Sequence, residues 1–176
     1  MKKITLGFIL IIISLITSCK NKIENTIPID NTDSITQNEE SKSDKTKNVR
    51  KILANWVEAF NKKDSDLLFT YYDPESIYAS PESPLLKGID QVRPWYEEVI
   101  PLMTGTLKYK EETITVEGNM AVIVLKFYLE PFEVNETEEP FKGRAILVFR
   151  KSEEGKWLLL FDMDNTPPDV LIKDFK

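Results

Sequence analysis

The chain has 176 residues, a net charge of −6 and a charged fraction of 30%, enough for one folded domain and an additional segment. It has no histidine and a single cysteine, which excludes histidine-based triads, histidine metal sites and an intrachain disulfide. An acidic chain is repelled by phosphate backbones, so no nucleic-acid partner is expected. The six glycines are scattered singly, so a glycine-rich phosphate loop is missing. No cofactor and no metal site are expected.

Lys2 and Lys3 open the chain and an apolar run follows over residues 4–16, interrupted by Thr5, Gly7 and Ser14. The run is shorter than the ~20 residues needed to cross a bilayer and has the charge and length of an export signal. Ile16-Thr17-Ser18-Cys19 resembles the lipobox of bacterial lipoproteins, an aliphatic residue and two small ones before a cysteine. That resemblance implies removal of residues 1–18 and lipidation of Cys19. The membrane is then a partner through the lipid anchor, which two or more acyl chains make stable. The implied location is the bacterial cell envelope. Lys20 in place of an aspartate after the cysteine favours the outer membrane in a Gram-negative host.

Residues 19–46 are rich in Asn, Lys, Ser, Thr, Asp and Glu and contain no aromatic residue. Such a stretch cannot bury enough apolar surface to offset its ordering entropy, so a disordered tether is expected. The folded domain is placed at residues 47–169 and a C-terminal tail at 170–176. Val49, Ile52, Leu53, Trp56, Val57 and Phe60 form one apolar helical stripe. Asp64 is placed as the N-cap of a second helix with Leu67, Leu68 and Tyr71 on its buried side, ended by Asp73-Pro74. Residues 77–79 form a short strand and residues 89–100 a third helix, with Pro94 starting its main part or kinking it. Strand patterning takes over at 107–117, 120–129, 145–150 and 157–164, with Gly118-Asn119 as a hairpin turn. Three helices followed by four antiparallel strands predict an α+β domain with its helices on one face of a curved sheet.

This order resembles the nuclear transport factor 2-like superfamily, which includes SnoaL-like cyclases and ketosteroid isomerases. The resemblance is carried by residues 56–64, 67–73, 88–92 and the closing strand 157–164 after Gly155-Lys156, and it covers residues 49–166. It implies a cone-shaped fold, three N-terminal helices packed on a strongly curved antiparallel sheet around a pocket. It also implies a homodimer through the sheet. Its catalytic residues transfer poorly. Aligned without a gap, Trp56 stands where the isomerases' oxyanion-binding tyrosine belongs, and Ser80 where their proton-transferring aspartate belongs. A serine hydroxyl without a partner is a poor base.

Asp162 is the candidate catalytic residue. Strict alternation puts Asp162 and Asp164 on one face with Leu158 and Leu160, and a desolvated Asp162 in a pocket would be a general base. The competing reading, which the sequence favours, pairs Asp162 with Arg144 or Arg93 and leaves Asp164 in the exit loop. Trp56, Tyr72, Tyr78, Trp95, Tyr128 and Asp162 are the ligand-pocket candidates, with Tyr71 and Tyr96 as further aromatics, against the reading that they fill a core or a dimer interface. The acidic run at 130–140 lacks the spacing of a calcium loop and reads as a solvated charge run. Asn135-Glu136-Thr137 matches a glycosylation acceptor. Two functions stand side by side. The first is a membrane-anchored module that binds a small apolar ligand or a protein without catalysis. The second is a carboxylate- and tyrosine-dependent isomerase, cyclase or hydrolase. Absent histidine favours the first. A buried Asp162 without a cationic partner would favour the second.

Overall fold

A computed structural model describes residues 41–81, 83–133 and 139–176. The first helix, α1 (Lys42–Asn61), is capped by the Ser41 side chain, which accepts from the Asp44 amide at 3.2 Å. It starts inside the stretch expected to be tether, because Ser41 is an N-cap with Asp44 in the first turn. Its buried side is Val49, Leu53, Trp56, Val57, Ala59 and Phe60, close to the expected stripe. At its far end the Asn61 amide bonds Leu107 in both directions, accepting from the Leu107 N–H at 2.7 Å and donating to its carbonyl at 3.1 Å. This pins the helix to the sheet.

The second helix, α2 (Ser65–Phe69), is capped by Asp64 as expected but is one turn long. It buries Leu68 and Phe69, while Leu67 is exposed. Tyr72 is already in a strand, so Asp73-Pro74 does not break a helix. It lies in a bulged part of β1 (Tyr72–Ala79), where a proline removes no needed ladder bond. β2 (Leu86–Lys87) pairs with β1, and α3 (Ile89–Val99) follows with Pro94 inside it. A short 3-10 turn, Ile100–Leu102, leads to the sheet.

Four long strands complete it: β3 (Thr106–Glu117), β4 (Met120–Glu130), β5 (Lys142–Lys151) and β6 (Trp157–Asn165). The order is β2-β1-β6-β5-β4-β3, and every pairing is antiparallel except β1 with β6. The fold is the expected α+β class, with N-terminal helices on a mixed, mostly antiparallel sheet. The sheet has six strands because β1 and β2 join it. Gly143 is required where β5 passes β6 and the cavity wall, since a Cβ there would lie 2.2 Å from the Asn165 carbonyl and 2.6 Å from the Phe127 ring.

The chain past residue 169 is not a loose tail. Val170 is fully buried, Phe175 lies 5.4 Å from Tyr128 ring to ring, and Asp174 accepts from Lys126 at 2.9 Å. Residues 170–176 therefore belong to the domain. Cys19, the signal and most of the tether lie outside the described residues. Among the described residues no helix is long and apolar enough to cross a membrane.

Candidate functional site: an acidic aromatic cavity

The site depends on a break in strand periodicity. Along β6, Trp157 and Leu159 face the core. Strict alternation would next bury Phe161 and Met163 and turn both aspartates outward, which is also what hydrophobicity favours. Instead, Phe149 pairs with Leu159 and Val148 with Phe161, so Leu160 is an extra residue in a β-bulge. The bulge reverses the phase. Asp162 becomes buried opposite Leu147, Asp164 follows opposite Ala145, and Met163 is exposed. Leu158 and Leu160 are therefore not on the face of the aspartates, and Asp164 lies within the strand rather than in an exit loop. A local rule overridden in this way is expected at functional sites.

Parallel pairing of β1 with β6 sets Tyr78 beside Asp162. α3 supplies Trp95 and Tyr96, and α1 supplies Leu53, Trp56, Val57 and Phe60. The sheet closes the cavity with Tyr109, Leu125, Phe127, Leu129 and Leu147. About 80 Å³ is enclosed, and the cavity is partly open to solvent. The Tyr96 hydroxyl donates to Asp162 Oδ2 at 2.9 Å, and the Tyr78 hydroxyl donates to Asp164 Oδ2 at 3.1 Å. The rings of Tyr78, Trp95 and Tyr96 lie 4.5–5.3 Å apart, centroid to centroid.

The expected ion pair of Asp162 does not form. Arg144 lies on the opposite face of the sheet, where it binds Glu112 at 2.6 Å and Asp169 at 2.8 Å. Arg93 binds Asp66 at 2.6 Å and Glu97 at 2.7 Å. No lysine or arginine lines the cavity among the described residues. Burial pushes the Asp162 carboxyl from an ordinary 3.8 up to about 7, the neighbouring Asp164 adds to the rise, and the Tyr96 bond opposes it. Asp164 is raised by burial against the pull of Tyr78. Burial also raises Tyr96 and Tyr78, so both hydroxyls stay protonated donors at neutral pH.

Of the pocket candidates, Trp56, Tyr78, Trp95 and Asp162 line the cavity, and Tyr96 and Asp164 join them. Tyr72 does not. It is core, packed on Phe69 and Tyr96, and no hydrogen bond of ordinary geometry reaches its hydroxyl or the Trp56 indole N–H among the described residues. Tyr128 is also elsewhere, against Phe175, because its parity in β4 differs from that of the cavity-lining Phe127. Tyr71 does not line the cavity either. Tyr109 also lines the cavity and is not among the sequence candidates, although its two-residue spacing from Leu107 on one strand face points to it. In the acidic run, Glu130 pairs with Lys108 and Glu139 with Lys142. Asn135 lies outside the described residues. Among the described residues no acidic group forms a metal-binding cluster.

The family model of the SnoaL-like domain matches residues 53–159, and the chain belongs to this family. Its fold is shared by a nuclear transport factor 2-like superfamily protein from Salmonella enterica, at 16% identity and a TM-score of 0.62, covering 75% of this chain and 97% of that one. A nuclear transport factor 2-like protein of unknown function from Pseudomonas putida is 16% identical at a TM-score of 0.61, covering 76% and 93%. A ketosteroid isomerase-like protein from Erwinia carotovora atroseptica is 19% identical at a TM-score of 0.56, covering 74% and 99%. No curated protein matches the sequence.

Proposed function

We propose that the domain catalyses proton transfer on a small, largely apolar substrate, with Asp162 as the general acid–base. One observation carries this reading: a carboxyl group only 6% exposed, without a cation, held by a tyrosine at the end of an apolar cavity. A pKa near 7 places comparable amounts of base and acid at neutral pH, the balance that proton shuttling needs. Tyr96 holds Oδ2, which leaves Oδ1 to take a proton from an acidic C–H and return it elsewhere. The fold likeness to a ketosteroid isomerase-like protein is compatible with isomerase or cyclase chemistry. The base then sits on β6 rather than at Ser80. The test is exchange of α-protons of small ketones in D₂O, followed by NMR. Wild type should catalyse exchange and Asp162→Asn should not. Equal exchange by both, or an Asp162 titrating near 4, would sink the reading.

A second reading, non-catalytic binding of a small apolar ligand, draws on the absence of histidine and on Trp56 and Ser80 at the inherited catalytic positions. Saturable binding of an apolar probe without any exchange would favour it.

The domain is further proposed to work at the cell envelope, tethered through lipid on Cys19. Mass spectrometry of the mature N-terminus should find acylated Cys19, and a chain starting elsewhere would refute the anchor. A homodimer through the outer sheet face is proposed as well. Val122, Ile146 and Met163 are exposed there, and Ile146 stands in register with both Val124 and Met163. Ile146→Glu should shift a dimer to monomer in analytical ultracentrifugation, and a monomeric wild type would refute it.

A further inference from the structure

We infer that the ligand of this cavity is a small organic cation, an ammonium head seated between Asp162 and Asp164 against the rings of Tyr78, Trp95 and Tyr96, with an apolar remainder along the cavity walls. The inference names the substrate class of the proposed proton-transfer site and rests on the same pocket.

Three observations point to it. The two aspartates are two residues apart on one face of β6, and both line the cavity. Each has one hydroxyl donor on its Oδ2 and no cationic partner, and Asp162 Oδ1 has no partner among the described residues. Two partly desolvated carboxylates are costly without positive charge, and every arginine described near this end is bound to acids outside the cavity. Finally, the rings of Tyr78, Trp95 and Tyr96 are gathered beside the two acids and line the cavity with them, and an aromatic ring attracts a cation.

Other ligand classes fit less well. An anion would be repelled by both carboxylates. A neutral carbonyl compound could use Asp162 as a donor only in its protonated form and would leave Asp164 uncompensated. An ammonium group offers three donors to acceptor-only carboxylate oxygens. The enclosed 80 Å³ limits the buried part of the ligand to a few heavy atoms.

The test is titration of the full protein with isobutylammonium and with the neutral isobutanol, read by tryptophan fluorescence, since Trp56 and Trp95 both line the cavity. The ammonium should bind at least about tenfold more tightly, the low end of what one charged hydrogen bond supplies before any cation–π contact is added. Asp162→Asn and Asp164→Asn should each reduce that preference. Equal affinity of the two probes, or binding of neither at millimolar concentration, would overturn the inference without needing any variant. Ketone exchange by Asp162 with no preference for the ammonium would overturn this inference and leave the proton-transfer reading standing. Ammonium binding with Asp162 titrating near 4 would do the reverse.

Discussion

Asp73 and Asp162 lie on neighbouring strands and are almost equally hidden, at 3% and 6% exposure, yet their surroundings are opposite. Asp73 takes a two-pronged bond from Arg150, at 2.7 and 2.9 Å, and a third bond from the Glu75 amide at 2.9 Å. Asp162 has one tyrosine hydroxyl and a like charge two residues away. The first arrangement is what a buried carboxylate needs in order to hold a structure together. The second leaves a carboxylate poorly compensated, at a cost in stability.

Arg150→Met should blur this difference most severely, because it makes Asp73 as unsupported as Asp162. The melting temperature should fall on the order of 10 °C, measured by circular dichroism. An unchanged value would mean that Asp73 reaches water once its partner is gone.

Asp162→Asn tests the other side. The folded-state pKa of Asp162 lies above its unfolded value, so between about 4 and about 7 the folded chain binds more protons. Its contribution to stability therefore declines as pH rises through that window and stays low above it. The total cost reaches at most about 4 kcal/mol, at ~1.4 kcal/mol per pH unit. Urea denaturation should show the variant gaining on wild type from pH 4 to pH 7, with no further gain at pH 8. Taking the difference removes the opposing slope of carboxylates such as Glu111 and Glu112, which their arginines hold low. A difference independent of pH would refute the assignment.

Tyr96→Phe should have a smaller effect, about 1–2 kcal/mol of lost stability from the missing hydrogen bond. It should also move the Asp162 titration further up, as read by carboxyl-carbon NMR. Asp164→Asn should act least on stability and move the Asp162 titration down, because it removes the like charge. An unchanged titration would mean that the two carboxyls do not interact directly.

Much of the scaffold could be read from residue order. The α1 stripe from Val49 to Phe60, the Asp64 cap and the Gly118-Asn119 turn are local signals, and each is where periodicity and capping chemistry put it. The errors share one cause, which is that pairing partners are not local. Nothing near Tyr72 announces that it will run parallel to Leu159, so residue order alone makes β1 too short and α2 too long. Val170 and Phe175 look like a loose end until β4 is seen to offer them Tyr128 and Lys126. Asp162 stands out in the sequence, but residue order gives it the wrong neighbours, since alternation counted through Leu160 gives every later residue of β6 the wrong face. The same kind of interruption occurs at Glu112 in β3, and there it sets Glu112 with Arg144.

The extra residue at Leu160 makes β6 tolerant of length change at one point only. Excision of Leu160 would leave Trp157, Leu159, Asp162 and Asp164 in an unbroken two-residue rhythm on the inner face, so the acids would keep their place while the strand lost its local bend. Excision of Leu158 would instead swing Trp157 outward and leave the bulge intact. Relatives of this domain with a strand one residue shorter can therefore present the same two acids to the same cavity, and alignments that forbid a gap at this point would pair Asp162 with the wrong residue.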